Sequence, residues 1–283
     1  MDIQYTHIDG LETKPINVHL AKTRHAPPTM PNKPFLGVVC GSRGSGKSSA
    51  MINLVQLYAP YHHFDHVVLL SPTYHNDVKL SVLAKDNRYD FEVITDVTNA
   101  VIDELIETIK KRIEDYKAYL EYEKVYDKFV KAKDVSILKP DDLMVLYQHQ
   151  FEEPTTDYKY GMPSTLLIFD DLVGDKAVYK NRVLDKFCLQ HRHYLTSLLF
   201  LVQIWKNAIP KGIRTNLSLI CLFSQKNLEV QKEVAQELAS FVSPQELIRF
   251  WNWANQEPHS FLTINMDDRK HLLRRNFNDI IKY

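Results

Sequence analysis

The sequence predicts an α/β fold, in which helices cover both faces of a mostly parallel central sheet. Three observations lead to this fold class: five short apolar runs have the pattern of strands buried on both faces, helical stretches separate several of them, and the composition is that of an ordinary globular protein. The chain has 283 residues, 45% of them hydrophobic, and its 35 Lys and Arg balance 35 Asp and Glu. These proportions exclude a disordered chain, a collagen-like repeat and a disulfide-stapled miniature.

The first 34 residues precede the first predicted strand. They contain five prolines and show no sustained period, so we interpret residues 1–34 as an irregular N-terminal arm. Residues 35–283 are interpreted as a single domain, of which residues 243–283 form a C-terminal extension. Strands are predicted over residues 35–40, 66–70, 165–169, 197–202 and 217–223, and helices over 48–58, 177–194 and 228–241.

A long helical insertion is predicted between the second and third strands. About 90 residues separate these strands, far more than a simple crossover requires. The insertion covers about 96–140, and apolar residues at steps of three and four predict an amphipathic helix within residues 98–133. One interpretation is a surface helix packed on the domain, and the other is a contact with a partner or another subunit. The apolar series is Ile102, Ile106, Ile109, Ile113, Tyr116 and Leu120.

Neither a disulfide framework nor a membrane span is expected. Cys40, Cys188 and Cys221 are far apart in the sequence, and we expect them to be buried thiols in a reducing compartment. The most apolar window, residues 195–205, is too short to cross a bilayer. We therefore expect no transmembrane segment and a location in the cytosol or a compartment continuous with it.

A phosphate-binding loop follows the first predicted strand. Residues 41–48 read GSRGSGKS and fit G-x-x-x-x-G-K-[ST] at every fixed position. Glycines let successive backbone N–H groups turn toward a phosphate, and the helix that follows adds its positive end. A turn that merely caps a helix would not need Lys47, which is placed to reach the β- and γ-phosphates, while Ser48 can ligate Mg²⁺. The predicted nucleotide-binding residues are Gly41, Ser42, Arg43, Gly44, Ser45, Gly46, Lys47, Ser48 and Ser49.

Two carboxylates end the third predicted strand. Residues 166–169 are apolar and lead into Asp170 and Asp171, so the acids lie at the edge of the sheet where ligands bind in open α/β folds. Acids also cap strands and helices in many proteins, but here a phosphate loop lies upstream. We expect Asp170 to bind Mg²⁺ and Asp171 to polarise the attacking water.

Three further residues are candidates for catalysis. Gln203 ends the fourth predicted strand, where it can sense hydrolysis or orient water, or simply cap the strand. Phosphoryl transfer needs positive charge at the γ-phosphate, and either Arg214 or Arg43 can supply it. A solvated surface arginine is the competing interpretation for both.

The ordered motifs resemble those of a known family. GSRGSGKSS after a strand, then LLIFDDL, the HRH segment at residues 191–193 and LLFLVQIWKNAIPKGIRTNL look like the genome-packaging ATPases of large double-stranded DNA viruses. These form the poxvirus-type branch of the FtsK–HerA superfamily, and the resemblance covers roughly residues 35–223. It implies a RecA-like P-loop NTPase sheet of the additional-strand class, with an extra strand between the phosphate-loop strand and the strand bearing the two acids.

The resemblance also implies roles for residues and partners. Lys47 and Ser48 correspond to the nucleotide and Mg²⁺ contacts, Gln203 to the sensor, and Arg214 to an arginine finger acting on a neighbouring subunit. Arg43 resembles the loop arginine of terminase packaging motors, so two arginines compete for one role. The implied cofactors are ATP and Mg²⁺. The implied partners are double-stranded DNA, a homo-oligomeric ring of five or six subunits, and capsid-entrance or membrane-associated virion proteins.

The function expected from these features is ATP-driven packaging of viral DNA, at the site of virus assembly in the host cytoplasm and with a possible place in the virion. The alternatives are a HerA-like translocase in repair or segregation and a nucleotide-dependent scaffold or switch that does not move DNA. DNA contacts would be local phosphate contacts, since the net charge is zero. The candidate clusters, unless they are only solvated faces, are Lys206, Lys211 and Arg214, and Arg269, Lys270, His271, Arg274 and Arg275.

Overall fold

The computed structural model describes residues 24–76, 78–132, 136, 138–170, 172, 181–225, 227–239 and 242–282. The described residues therefore do not include Asp171, most of the N-terminal arm or the first residues of the helix predicted over 177–194. In the described part of the arm, Arg24 is tied to the domain by an ion pair of 2.6 Å with Asp65.

The described strands form one nine-stranded sheet in the order β3-β2-β4-β5-β1-β6-β7-β8-β9. The first six strands in this order run parallel, and the last three are antiparallel to their neighbours. All five predicted strands are confirmed, and they are β1, β2, β4, β5 and β6. The strands are β1 (Leu36–Cys40), β2 (His66–Leu70), β3 (Asp90–Ile94), β4 (Thr165–Asp170), β5 (Thr196–Val202), β6 (Leu219–Leu222), β7 (Leu262–Asn265), β8 (Leu273–Arg275) and β9 (Asp279–Ile280).

Helices cover the sheet, and the longest is α2, with 34 residues. Short 3₁₀ segments at Ala59–Tyr61, Tyr74–Asn76, Val78–Lys85, His191–Tyr194 and Arg269–His271 complete the connections. The α-helices are α1 (Lys47–Tyr58), α2 (Asn99–Ala132), α3 (Pro140–Gln148), α4 (Arg182–Gln190), α5 (Trp205–Ala208), α6 (Lys211–Arg214), α7 (Leu228–Glu237) and α8 (Pro244–Ala254).

The position of β5 confirms the additional-strand arrangement. This strand lies between β4 and β1, with Asp170 opposite Leu201 and Cys40 opposite Val202. The phosphate loop after β1 and the acidic end of β4 are therefore separated by one strand, and that strand leads into Gln203. Because parallel strands end at the same edge of a sheet, these features share its carboxyl edge.

Four strands were not predicted from the sequence. The strand β3 lies between β2 and the region interpreted as a helical insertion, about 96–140, and it forms the parallel edge of the sheet beside β2. Its residues DFEVI are partly exposed, so it lacks the continuous apolar run of a strand buried on both faces. The strands β7, β8 and β9 lie in the predicted C-terminal extension and are only two to four residues long. Such short antiparallel strands leave little periodic signal.

Two hydrophobic clusters form the core, one on each face of the sheet. Alternate residues of β1 divide between them, with Val38 in one cluster and Val39 in the other. The first half of α2 packs on the Val38 side through Ile102, Ile106 and Ile109, each at most 1% exposed. This helix therefore is packed on the domain along its first turns, as one of the two interpretations of the insertion expects.

Candidate nucleotide-binding site

The phosphate loop has the backbone that its glycines predict. Gly44 and Gly46 have φ angles of 78° and 112°, which favour glycine, and Gly46 is the N-cap of α1. At Gly41 the restriction is space, because a Cβ there would lie 2.6 Å from both Phe223 Cβ and Ser45 Oγ. Glycine is thus required at these positions by conformation or by packing.

Two side chains of this loop have polar groups that a bound phosphate could contact. The Lys47 amine donates hydrogen bonds to the carbonyl oxygens of Gly41, at 2.8 Å, and Ser42, at 3.0 Å. The Ser45 hydroxyl is buried and has no hydrogen-bond partner among the described residues. Since buried polar groups are rarely left unsatisfied, this hydroxyl is a candidate donor to a ligand that enters the loop. A bound phosphate fits the loop, because its oxygens accept hydrogen bonds.

The acidic end of β4 meets the end of β2. Asp170 is 8% exposed, and its Oδ2 accepts a hydrogen bond of 3.1 Å from the hydroxyl of the fully buried Ser71. This bond orients the carboxylate at the carboxyl edge of the sheet. Ser48, in the first turn of α1, and Asp170 offer the oxygen ligands that Mg²⁺ prefers and could hold the ion. Asp171, the other predicted acid, lies outside the described residues.

Gln203 directly follows β5, the strand between β1 and β4. It is half-buried at the carboxyl edge, so the structure places it with the loop and with Asp170 as the sequence suggested. Its catalytic role stays a prediction.

Arg214 is held by its own chain. Its guanidinium binds both carboxylate oxygens of Glu237 at 3.0 Å, and it also donates to the carbonyls of Lys206 and Ile209. The side chain is only 8% exposed. Burial would raise the pKa of Glu237, but hydrogen bonds from Arg214 and Trp205 outweigh it and hold that pKa below its usual value. These contacts give Arg214 a structural task, which the sequence did not suggest.

Arg43 differs from Arg214 in its exposure and in its contacts. It is exposed at the tip of the phosphate loop, and its side chain forms no hydrogen bond or ion pair with the described residues. Of the two competing arginines, it is the one whose charge is available at the loop.

The C-terminal basic cluster is not a single exposed surface. Arg274 is fully buried and donates hydrogen bonds to the backbone carbonyls of Thr29 and His271, and Arg275 forms an ion pair with Glu257. The expectation of a DNA or capsid contact is therefore wrong for Arg274, because a buried guanidinium cannot reach a phosphate backbone. In the other cluster, Lys206 pairs with Glu233 at 2.9 Å.

The HRH segment also serves the fold. His191 is 5% exposed, and its Nδ1 lies 2.7 Å from the carbonyl of Thr196, the first residue of β5. Burial lowers the pKa of His191 to about 4. The neutral ring therefore donates Nδ1–H to this carbonyl and joins the 3₁₀ segment to the strand that follows.

The three thiols are buried and free, as the sequence suggested. Burial raises the pKa of Cys40 and of Cys221 to about 12, and that of Cys188 also rises on burial. A thiolate nucleophile is therefore not available at Cys40, although this residue adjoins the phosphate loop.

His259 was not among the site residues predicted from the sequence. Its Nδ1 lies 3.1 Å from the carbonyl oxygen of Ser45, which is 214 residues away in the chain. With Lys47, Ser48 and Lys79, it lines a cavity of about 380 Å³ at the phosphate loop. A single histidine in the loop before β7 belongs to no sequence motif. It comes close to the phosphate loop because β7 pairs antiparallel with β6.

The family model described as "Poxvirus A32 protein" matches residues 121–260, just under half of the chain. The match includes Asp170, Gln203 and Arg214 and begins after the phosphate loop. The predicted resemblance to the poxvirus-type packaging ATPases is confirmed. With it, the interpretation of the chain as a P-loop ATPase is confirmed as well. No curated protein matches the sequence.

Solved structures of two ATPases are similar to this chain. B204, the genome packaging NTPase from Sulfolobus turreted icosahedral virus 2 in complex with ATP-gammaS, is 15% identical with a TM-score of 0.46, over 87% of this chain and 98% of that one. EssC (ATPases 2 and 3) from Geobacillus thermodenitrificans is 14% identical with a TM-score of 0.48, over 86% of this chain and 39% of that one. At these values neither structure decides what the chain does.

None of the described helices, including the 34-residue α2, combines the length and apolar character needed to cross a membrane.

Proposed function

We propose that the chain is an ATP-driven translocase that packages double-stranded DNA into a viral capsid. The observation that carries the proposal is the meeting of the phosphate loop and Asp170 at one edge of the sheet, in a chain that matches the poxvirus A32 family. In this proposal the enzyme is a ring of five or six copies that binds DNA without sequence preference and hydrolyses ATP between subunits. It works at sites of virus assembly in the host cytoplasm, with proteins of the capsid entrance or virion membrane as partners.

The phosphate loop binds the phosphates of ATP in the proposed mechanism. Backbone N–H groups and the N-terminus of α1 supply hydrogen bonds and a positive dipole end. Lys47 transfers its hydrogen bonds from the carbonyls of Gly41 and Ser42 to the β- and γ-phosphate oxygens. The buried hydroxyl of Ser45 gains the partner that it lacks.

Mg²⁺ is proposed as the cofactor of the same site. When bound, the ion neutralises charge on the β- and γ-phosphates. The Ser48 hydroxyl and the Asp170 carboxylate would hold it, and the hydrogen bond from Ser71 keeps that carboxylate in place. Both ligands are hard oxygen donors, which suits this ion.

The attacking water is assigned to residues that end β4 and β5. We assign its polarisation to Asp171 as general base and its orientation, or the sensing of hydrolysis, to Gln203. Gln203 directly follows the strand between the loop and Asp170, which supports this assignment.

Arg43 is the proposed source of positive charge on the γ-phosphate. It is exposed at the loop and unpaired among the described residues, whereas Arg214 would have to break contacts with Glu237 and two carbonyls. Removing Arg214 from its partner would also leave the Glu237 charge without compensation. Arg214 is thereby assigned to the packing of the segment after β5.

The decisive experiment is the ATPase rate of the purified ring with and without linear duplex DNA. We expect DNA to raise the rate, and we expect the stimulation to fall as salt is added, because phosphate contacts release counterions. Lys47→Ala should abolish turnover, whereas Lys117→Ala, an exposed lysine on α2, should not change it. A ring that hydrolyses ATP at one rate, with or without DNA at low salt, would be a nucleotide-dependent scaffold rather than a translocase.

A further inference from the structure

A second cavity lies beside the cavity at the phosphate loop. Its volume is about 530 Å³, and His259 lines both cavities. None of the described residues that line it is an acid, a lysine or an arginine. Besides His259 and Asn276, the lining residues are Asn53, Gln56, Leu57, Phe261, Phe277 and Asn278.

One wall of this cavity is the outer face of α1. Asn53, Gln56 and Leu57 are exposed and lie one turn apart along this helix, which begins at the phosphate loop. With a rise of about 1.5 Å per residue, Asn53 and Gln56 lie about 9 Å and about 14 Å beyond Lys47 along the axis. A nucleoside joined to phosphates in the loop can reach this part of the helix.

The opposite wall is aromatic. Phe223 packs under the loop, Phe261 contacts Phe223 with ring centroids 4.8 Å apart, and Phe277 contacts Phe261 edge-on at 5.0 Å. The first two rings are buried, and Phe277 is only partly buried. A series of rings therefore runs from beneath the phosphate loop to a ring that is open to the second cavity.

We infer that this second cavity binds the ribose and the purine base of the nucleotide, with the base stacked on Phe277 and its edge read by the amides of Gln56 and Asn53. This inference rests on the proposed function, because it places the phosphates of the same nucleotide in the loop. Stacking on an aromatic ring favours any base and favours the larger purines most. Side-chain amides provide a donor and an acceptor together, which matches N6 and N7 of adenine.

His259 lies where the phosphates join the nucleoside. Its Nδ1 contacts the Ser45 carbonyl, and its ring borders both cavities. The side chain is thus placed to contact the ribose or the α-phosphate and to fix the direction in which the nucleoside leaves the loop. Asn276 has a structural task instead, since its Oδ1 accepts a hydrogen bond from the backbone N–H of Phe261.

The test compares ligands that contain phosphates with and without a nucleoside. Calorimetric titration of the wild-type protein with ADP, GDP, CDP and inorganic pyrophosphate, each with Mg²⁺, avoids hydrolysis. We expect ADP to bind at least about tenfold more tightly than pyrophosphate and severalfold more tightly than CDP. Phe277→Ala should remove most of the difference between ADP and pyrophosphate, and Gln56→Ala should reduce the preference for ADP over GDP.

Two controls separate binding from folding. The ratio of ADP to pyrophosphate affinity within one variant does not depend on the folded fraction, and Phe277→Leu keeps an apolar side chain while removing the ring. Tyr147→Ala removes an equally large aromatic side chain, 69% exposed on α3, and should leave the ratio unchanged.

The outcomes distinguish this inference from the proposed function. Wild-type protein that binds ADP and pyrophosphate equally would overturn the nucleoside site and leave the phosphate loop intact. Wild-type protein that binds neither would overturn both. An unchanged ratio in Phe277→Ala and Phe277→Leu would also overturn the inference, because the base would then lie elsewhere.

Discussion

Named side chains near the two edges of the parallel sheet differ in their partners. Near the amino edge, Arg24 pairs with Asp65 at 2.6 Å, and the buried His63 lies 2.8 Å from a backbone carbonyl. Near the carboxyl edge, Arg43 is exposed and has no ion pair with the described residues, and the buried hydroxyl of Ser45 has no hydrogen-bond partner among them.

The difference offers a criterion for assigning roles. A charged side chain that is paired with an opposite charge inside the chain contributes to stability, and its removal leaves the partner's charge uncompensated. A charged side chain without such an ion pair can bind a ligand without leaving an opposite charge behind. By this criterion Arg43 belongs to the ligand site, and Arg214, with its pair to Glu237, belongs to the structural set.

The largest expected effect is that of Arg43→Ala on turnover. If Arg43 places positive charge on the γ-phosphate, its loss should lower kcat by about a thousandfold. The midpoint of urea denaturation should not move, because the side chain is exposed and forms no hydrogen bond or ion pair with the described residues. Phosphate release at saturating ATP, without DNA, measures the effect, and Arg269→Ala, another exposed arginine, is the matched control.

Arg214→Ala should show the opposite pattern. Breaking its paired, mostly buried contact with Glu237 should lower the free energy of unfolding by about 3 kcal/mol. Turnover of the folded fraction should change far less than in Arg43→Ala. The double variant Arg214→Ala with Glu237→Gln should recover part of the stability, since it removes the uncompensated carboxylate. A variant with normal stability and a thousandfold loss of kcat would return the catalytic role to Arg214.

The same criterion explains which features could be predicted from the sequence. Buried parallel strands and the phosphate loop are local patterns, so β1, β2, β4, β5 and β6 were predicted within a few residues. The edge strand β3 was missed because it is partly exposed, lacks a continuous apolar run and lies in a region without Gly or Pro to mark its ends. Pairing between distant residues leaves no local pattern, and for this reason neither the partner of Arg214 nor the approach of His259 to Ser45 could be predicted.

The amino edge should make stability depend on pH. Burial lowers the pKa of both His63 and His191 to about 4, whereas a histidine in an unfolded chain has a pKa of about 6.5. Between these values the unfolded chain binds more protons, so the free energy of unfolding falls as the pH falls. From pH 7 to pH 5 we expect a loss of about 2 kcal/mol for each histidine, measured by urea denaturation.

A variant assigns this loss to its source. His191→Gln keeps a side-chain donor for the Thr196 carbonyl but does not titrate, so the loss of stability between pH 7 and pH 5 should become smaller by about 2 kcal/mol. If the free energy of unfolding changes with pH equally in the variant and the wild type, His191 is not a titrating group. The structural role assigned to the amino edge would then be wrong for this residue.

The smallest effects are expected from two glycines of the phosphate loop, which separate packing from conformation. Gly41→Ala would bring a Cβ to 2.6 Å from Phe223 Cβ and Ser45 Oγ, so we expect a loss of about 2 kcal/mol in the free energy of unfolding. Gly44→Ala meets no atom within 4 Å but must adopt a φ of 78°, which costs about 1 kcal/mol. Only Gly41→Ala displaces Ser45. This variant alone should therefore also weaken pyrophosphate binding, and the loss of affinity should exceed what its lower folded fraction explains. Equal losses of pyrophosphate affinity in both variants would mean that the loop binds phosphate through its backbone alone, and the unpartnered Ser45 hydroxyl would then have no part in the site.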